Sequence, residues 1–364
     1  MALDRIYPGI GDSSVMKDLN RLAPEGGCGL RAGAEQALNR LLDYYQHTAT
    51  LAQARLARQT QPGARSGAPP SAILALEDAG QALAWMRADR DSLLACLDHV
   101  TRNGQQARVI ALTAALAEML RRDGPWTEAI ARHVTAIQAA RQFGDQLGEA
   151  NILTDLGVAR QLNGDNRGAA RDLEQALTLY LHLDNRLGEA NALTRRADVL
   201  LQRGDYPGGG SDLERALTLY RDLGNRLGEA SALVYRGDVL LQKGDYPGAA
   251  SDLEQALTLY RDLGNRLGQA NALMHLGDAR LVSGDYLAAA RDLEQALCLC
   301  RDPDDGMSQA NALLSLANAH RLTGDYPGAA VGLQQALTLF RDLGDRHRPG
   351  LRPDLARSSA AADR

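Results

Sequence analysis

A stretch of forty residues is repeated five times over in this chain. Gly-Asp recurs at Gly164-Asp165, Gly204-Asp205, Gly244-Asp245, Gly284-Asp285 and Gly324-Asp325, with Gly124 one further period upstream. A fixed period in this range marks a solenoid, in which each unit buries its apolar face only against its neighbours. The core then grows along one axis, so the 364 residues need not divide into two or three compact domains. The functional question shifts from chemistry to surfaces.

One unit runs from Leu227 to Asn265. Its first half, helix A, places Ala230, Leu233, Val234, Gly237 and Leu241 at spacings of three and four, which forms a single stripe. Gly244 ends that helix, and Asp245 can cap the next by accepting from its free N–H groups. Pro247 is tolerated there, because first-turn N–H groups have no partner inside the helix. Helix B then aligns Ala250, Leu253, Ala256, Leu257 and Tyr260, Gly264 stops it, and Asn265 can cap the following helix A. The small residues Gly237, Ala249 and Ala256 allow the two helices to approach closely.

These residues resemble the tetratricopeptide repeat family. Gly237, Gly244-Asp245-Tyr246, Ala249, Leu253 and Ala256-Leu257 carry its pattern, and the long period is similar to the variant found in kinesin light chain and cell-polarity adaptors. The resemblance implies an all-α, superhelical solenoid of antiparallel helix pairs behind a small helical N-terminal region. It covers 147–343 in five units, plus a degenerate unit at 106–143 within a helical region spanning 78–143.

Upstream the chain reads as an irregular segment at 1–32, a helix at 33–58 with Leu38, Leu41, Leu42 and Tyr45 on one face, and a Pro- and Gly-bearing linker at 59–77. Helices are expected at 78–88, 90–102 and 106–122. This region resembles bacterial antibiotic-regulator proteins of the SARP type, in which repeats follow a nucleotide-binding NB-ARC ATPase. Met16-Lys17-Asp18 lies where that family carries Met-His-Asp, with Lys in place of His. The resemblance implies the sensor half of such a regulator, since no GxxxxGK[ST] loop occurs in the chain.

Composition narrows the remaining classes. A net charge of −5 offers no basic stripe for nucleic acid. The N-terminus lacks a basic segment followed by an apolar run, and the stretch from Val109 to Leu120 is too short for a membrane span, so a cytoplasmic protein is expected. The cysteines (Cys28, Cys96, Cys298, Cys300) form no CxxC pair, and Cys300 stands where sister repeats have Tyr180, Tyr220, Tyr260 and Phe340, as a smaller core residue. There is no HExxH, no GxSxG and no pair of histidines one helical turn apart. Neither an enzyme nor a cofactor or metal site is expected.

The candidate surface is the A-helix face. In the resembled family peptide ligands lie there, and matching by motif selects Asn151, Asn191, Ser231, Asn271 and Asn311. One turn on come Thr154, Thr194, Val234, Met274 and Leu314, then Asp198, Asp238, Asp278 and Asn318, then Gln202 and Gln242. An Asn row offers donors and acceptors to a peptide backbone, and an Asp row favours basic ligand residues. The same residues can also serve simply as caps and solvated polar positions. Between 205–244 and 245–284 there are 28 identities in 40, and nine of the twelve differences fall between 229 and 243, so helix A varies while helix B stays fixed.

The expected function is therefore non-catalytic protein–protein interaction, with a protein or peptide partner in the A-helix groove. The alternative is a sensory module acting with a separate ATPase or DNA-binding chain. Pro349 and Pro353 interrupt any helix in the tail at 344–364, leaving the helix at 326–343 without a polar cap and open to self-association.

Overall fold

The computed structural model describes residues 28–56, 74–300 and 306–346. Fifteen helices, and no strand, occur among the described residues. They are α1 (Cys28–Leu56), α2 (Ala79–Ala88), α3 (Arg90–Arg102), α4 (Gln106–Asp123), α5 (Trp126–Phe143), α6 (Gln146–Leu162), α7 (Asn166–His182), α8 (Arg186–Gln202), α9 (Tyr206–Asp222), α10 (Arg226–Gln242), α11 (Tyr246–Asp262), α12 (Arg266–Ser283), α13 (Tyr286–Leu299), α14 (Gly306–Thr323) and α15 (Tyr326–Arg346). The helix read at 33–58 thus begins at Cys28. Most of the linker read at 59–77, the tail beyond Arg346 and the Met16-Lys17-Asp18 segment lie outside the described residues. The chain forms two compact units, up to Glu229 and from Ala230 onward.

The Gly-Asp turn explains why the repeat keeps its phase. Gly164, Gly204, Gly244, Gly284 and Gly324 all hold φ between +79° and +89°, a left-handed conformation that a side chain would strain. The Asp after each turns its carboxylate onto the N–H three residues later: Gly168 at 2.9 Å, Gly208 at 3.0 Å, Gly248 at 3.0 Å and Gly328 at 3.0 Å. Asn185, Asn225 and Asn265 cap the A helices in the same way, at 2.8–2.9 Å from Gly188, Gly228 and Gly268. Each cap uses only atoms of its own turn.

One turn breaks the glycine rule. Asp184 holds φ +50° where the sister turns have Gly224 and Gly264 at +63° and +64°. The left-handed region costs a side chain of order 1 kcal/mol or more. Asp184→Gly should therefore raise stability by about 0.5–1 kcal/mol, read as a higher urea midpoint with unchanged slope.

In the first unit, α1 packs on α2 and α4, with Leu42, Tyr45, Met86, Leu93, Leu116 and Met119 buried and the Tyr45 and Trp85 rings stacked 6.4 Å apart. Arg87 bridges α2 to Asp123 of α4 with two hydrogen bonds. Cys96 lies in this core, and burial pushes its thiol up to about 12, so it behaves as a small apolar residue. The helix pairs α4–α5, α6–α7 and α8–α9 follow, and their A helices α4, α6 and α8 touch in succession along one face. In the second unit α11 packs on α12, α12 on α13, α13 on α14 and α14 on α15, and the A helices α12 and α14 again touch. Helices A and B of a pair approach closely at glycine: a Cβ on Gly157 or Gly237 would meet the Leu173 or Leu253 side chain at 2.8–2.9 Å.

A second lock joins each repeat to the next. The Tyr180 ring covers the first turn of α8 so closely that a Cβ on Gly188 would fall inside it, and Tyr220 covers Gly228 and Tyr260 covers Gly268 in the same way. Where the tyrosine is missing, at buried Cys300, the matching position carries Ser308 instead of glycine. The unit at 106–143 keeps the glycine without the ring: Ala140 stands where the tyrosine would be, and Gly148 holds the matching position.

Every helix B from α7 to α13 is also tied to its own helix A by an Asp–Arg pair. Arg196 grips Asp212 with two bonds of 2.7 Å, and Arg236 grips Asp252 with bonds of 2.6 and 2.7 Å. Arg160 pairs with Asp172, and Arg280 with Asp292, from a slot one turn further along helix A. Leucine fills whichever slot the arginine leaves.

Candidate partner-binding face

Built upward from the residues, the A-helix face differs between the two units. In the first, Asn151 on α6 accepts a 2.8 Å hydrogen bond from the Tyr180 hydroxyl, and Thr154 Oγ1 donates to the Ala150 carbonyl while lying 3.4 Å from the same hydroxyl. The arrangement recurs on α8, where Asn191 accepts from Tyr220 at 2.8 Å and Thr194 lies 3.4 Å from it. Burial pushes the Tyr180 hydroxyl well above its ordinary value, so it remains a neutral donor. Asn191 is only 5 % exposed and Thr194 is fully buried. Both Asn oxygens are thus engaged by their own repeat, and Asp198 is half-buried one turn beyond Thr194.

The clamp disappears in the second unit. Ser231 replaces the Asn opposite Tyr260, while Cys300 and Phe340 stand where Asn271 and Asn311 would need a hydroxyl. Asn271 and Met274 on α12 are half-buried, and Asn311, Leu314 and Asn318 on α14 are exposed. Asn318 accepts from Arg321 at 2.8 Å. Val234 is buried among core residues. Gln202 and Gln242, each at the end of its helix, are exposed.

The structure brings together a polar row that sequence reading left scattered. Asp238 Oδ1 on α10 lies 2.7 Å from His275 Nδ1 on α12, and Ser315 on α14 hydrogen-bonds Asp278 of α12. Burial holds the Asp278 carboxyl above the usual carboxylate range; the Ser315 hydroxyl and nearby His275 pull it back, and Asp238 raises it again. A desolvated carboxylate of this kind is stabilised by a cationic neighbour. Read alone, His275 was one scattered histidine; the usable signal was Asp278 three residues on, one turn along the same face. Among the described residues no group of His, Cys, Asp and Glu could hold a metal ion, and no helix is long and apolar enough to cross a membrane.

Known proteins share this architecture. A sequence model described as tetratricopeptide repeat matches residues 109–182 and 188–262, and a second with the same description matches 236–307. None of the curated proteins matches the chain. Among solved structures, BtubC (BKLC) from P. vanneervenii is similar at a TM-score of 0.52 and 18 % identity, over 63 % of this chain and 96 % of that one. A signal transduction ATPase with numerous domains and a tetratricopeptide repeat sensor, from Pyrococcus horikoshii, is similar at a TM-score of 0.53 and 15 % identity; the match covers 74 % of this chain and 44 % of that one. At these identities the likeness is one of fold.

Proposed function

We propose that this chain, which belongs to the tetratricopeptide repeat family, is a non-catalytic scaffold that holds an extended partner segment against its A-helix faces, read chiefly by the second unit. The carrying observation is the missing clamp: Asn271 and Asn311 face no tyrosine hydroxyl, whereas Asn151 and Asn191 do. A primary amide with open donor and acceptor positions can bond a partner backbone without reading its side chains. Met274 and Leu314 add apolar contact beside it, and Asp238 and Asp278 favour a basic residue in the partner.

The test is selection of binders from a displayed random-peptide library. Asn271→Ala with Asn311→Ala should reduce recovery at least tenfold, while Asn151→Ala with Asn191→Ala should act mainly on stability. Circular dichroism must show equal helicity for both. Undiminished recovery with the first pair would sink the reading. Affinity for selected basic peptides should also fall on acidification, because protonating Asp278 removes its charge. The fall should begin at higher pH than for an ordinary carboxylate, since the Asp278 carboxyl is raised, and Asp278→Asn should flatten it.

A second reading, a sensory module acting with a separate ATPase or DNA-binding chain, draws support from the N-terminal resemblance to antibiotic-regulator proteins and from the sensor role named for the Pyrococcus protein's repeats. Co-purification of an NB-ARC or winged-helix protein would favour it over the general scaffold.

A further inference from the structure

His133 on α5 fills a slot that the following B helices give to leucine. Leu173, Leu213, Leu253 and Leu293 stand one to four periods further on, and all are fully buried. Leu173 packs with Ala169 and Val199, and Leu293 with Leu281, Ala289, Leu316 and Ala319. The matching residues for His133 are Ala129 on its own helix and Leu156 and Ala159 on α6, all buried, with Arg121 of α4 in the place of Leu281. The histidine is only 2 % exposed. Its Nδ1 lies 2.6 Å from the Ala129 carbonyl oxygen, which can only accept, so Nδ1 carries the proton. Nε2 is then an acceptor, buried and without a hydrogen-bond partner among the described residues.

A proton taken up at Nε2 would meet no acceptor and no spare negative charge. The charged groups on the helices packed against α5 are engaged with one another. On α4, Arg108 pairs with Asp43, Glu118 with Arg121 and Arg122, and Asp123 with Arg87. On α6, Arg160 holds Asp165 and Asp172, Glu149 takes Arg141 of α5, and Asp155 acts on the Tyr180 hydroxyl. On α5 itself, Arg132 is shared by Glu128 and by Asp98 of α3. Burial accordingly holds the imidazole below its ordinary value of 6.5, and the Ala129 carbonyl offsets this only in part. A loosened form with an ordinary imidazole binds a proton that the packed form refuses. The packing is therefore at full strength above pH 6.5 and weakens as the pH falls below it. We propose that His133 is an acid-sensitive latch: uptake of a proton at Nε2 releases α5 from α4 and α6 and opens the first repeat.

The experiment is hydrogen–deuterium exchange on the full chain from about pH 7.5 down to about pH 5, with each rate divided by that of an unstructured peptide at the same pH. Protection of the α5 amides is expected to fall by up to about tenfold per pH unit below 6.5. His133→Leu installs the sister residue, so it should abolish the fall while leaving helicity unchanged. His133→Gln keeps a polar group that takes no proton, so it should abolish the fall as well, whatever it does to stability. His99 on α3, which burial and Arg102 also hold below the ordinary value, is common to all three chains, so only the difference between them counts. Protection that stays level in the parent chain would overturn the proposal. So would a fall that persists in either folded variant, which would place the titration on another group.

Discussion

Gly188→Ala is expected to destabilise the first unit by about 2–3 kcal/mol, a large effect for one methyl group. The added Cβ would fall inside the Tyr180 ring, which is buried and anchored by its hydroxyl on Asn151. Swinging the ring out breaks that hydrogen bond to half-buried Asn151 and uncovers the buried ring, which adds to the cost. Chemical denaturation should show the transition involving α6 to α8 moving to lower urea. The decisive arm is the double variant. Tyr180→Cys with Gly188→Ala copies the change seen at Cys300 and Ser308, so it should be less destabilising than the sum of its single variants. Strict additivity would mean that ring and glycine are not coupled.

Arg236→Leu should cost about 2 kcal/mol in the second unit, because Asp252 would lose both of its hydrogen-bond donors in a place where it is only 7 % exposed. The arginine is 27 % exposed at its side chain, so solvent screening holds the figure below that of a fully buried pair. The remedy is written in the neighbouring repeats. Moving the arginine one turn along, as Arg236→Leu with Leu240→Arg, reproduces the slot used by Arg160 and Arg280. Stability should return to within about 0.5 kcal/mol of the parent. A double variant no better than Arg236→Leu alone would show that the two slots are not equivalent.

These two devices mark the boundary of what the linear sequence reveals. Helix ends were legible because Gly-Asp and Gly-Asn state both the left-handed residue and the cap within two positions. The N-terminal start was less so: residues 1–32 read as an irregular segment, yet the helix runs from Cys28, since an isolated glycine costs only about 1 kcal/mol in a long helix. The Arg slots stayed hidden because each column alternates between arginine and leucine and looks like noise. Asn151 and Tyr180 are 29 residues apart on different helices, and no local period links them. For the candidate face, motif matching named the Asn column but not which members are clamped, and it passed over His275 and Ser315, whose partners lie on neighbouring A helices.

The pairing of ring and glycine also says where this gene can be cut and rejoined. Tyr180 and Gly188 lie on either side of the Asn185 turn, but on the same side of the Gly-Asp turns at Gly164 and Gly204. An exchange at a Gly-Asp turn therefore carries lock and key together into the new chain. An exchange at an Asn turn can set a tyrosine against a serine made for cysteine. A splice at Gly-Asp keeps ring and glycine together but separates the Arg–Asp tie and the Tyr–Asn clamp, which cross that turn; because the Asp column is the same in four successive B helices, the Arg–Asp tie can re-form in a hybrid.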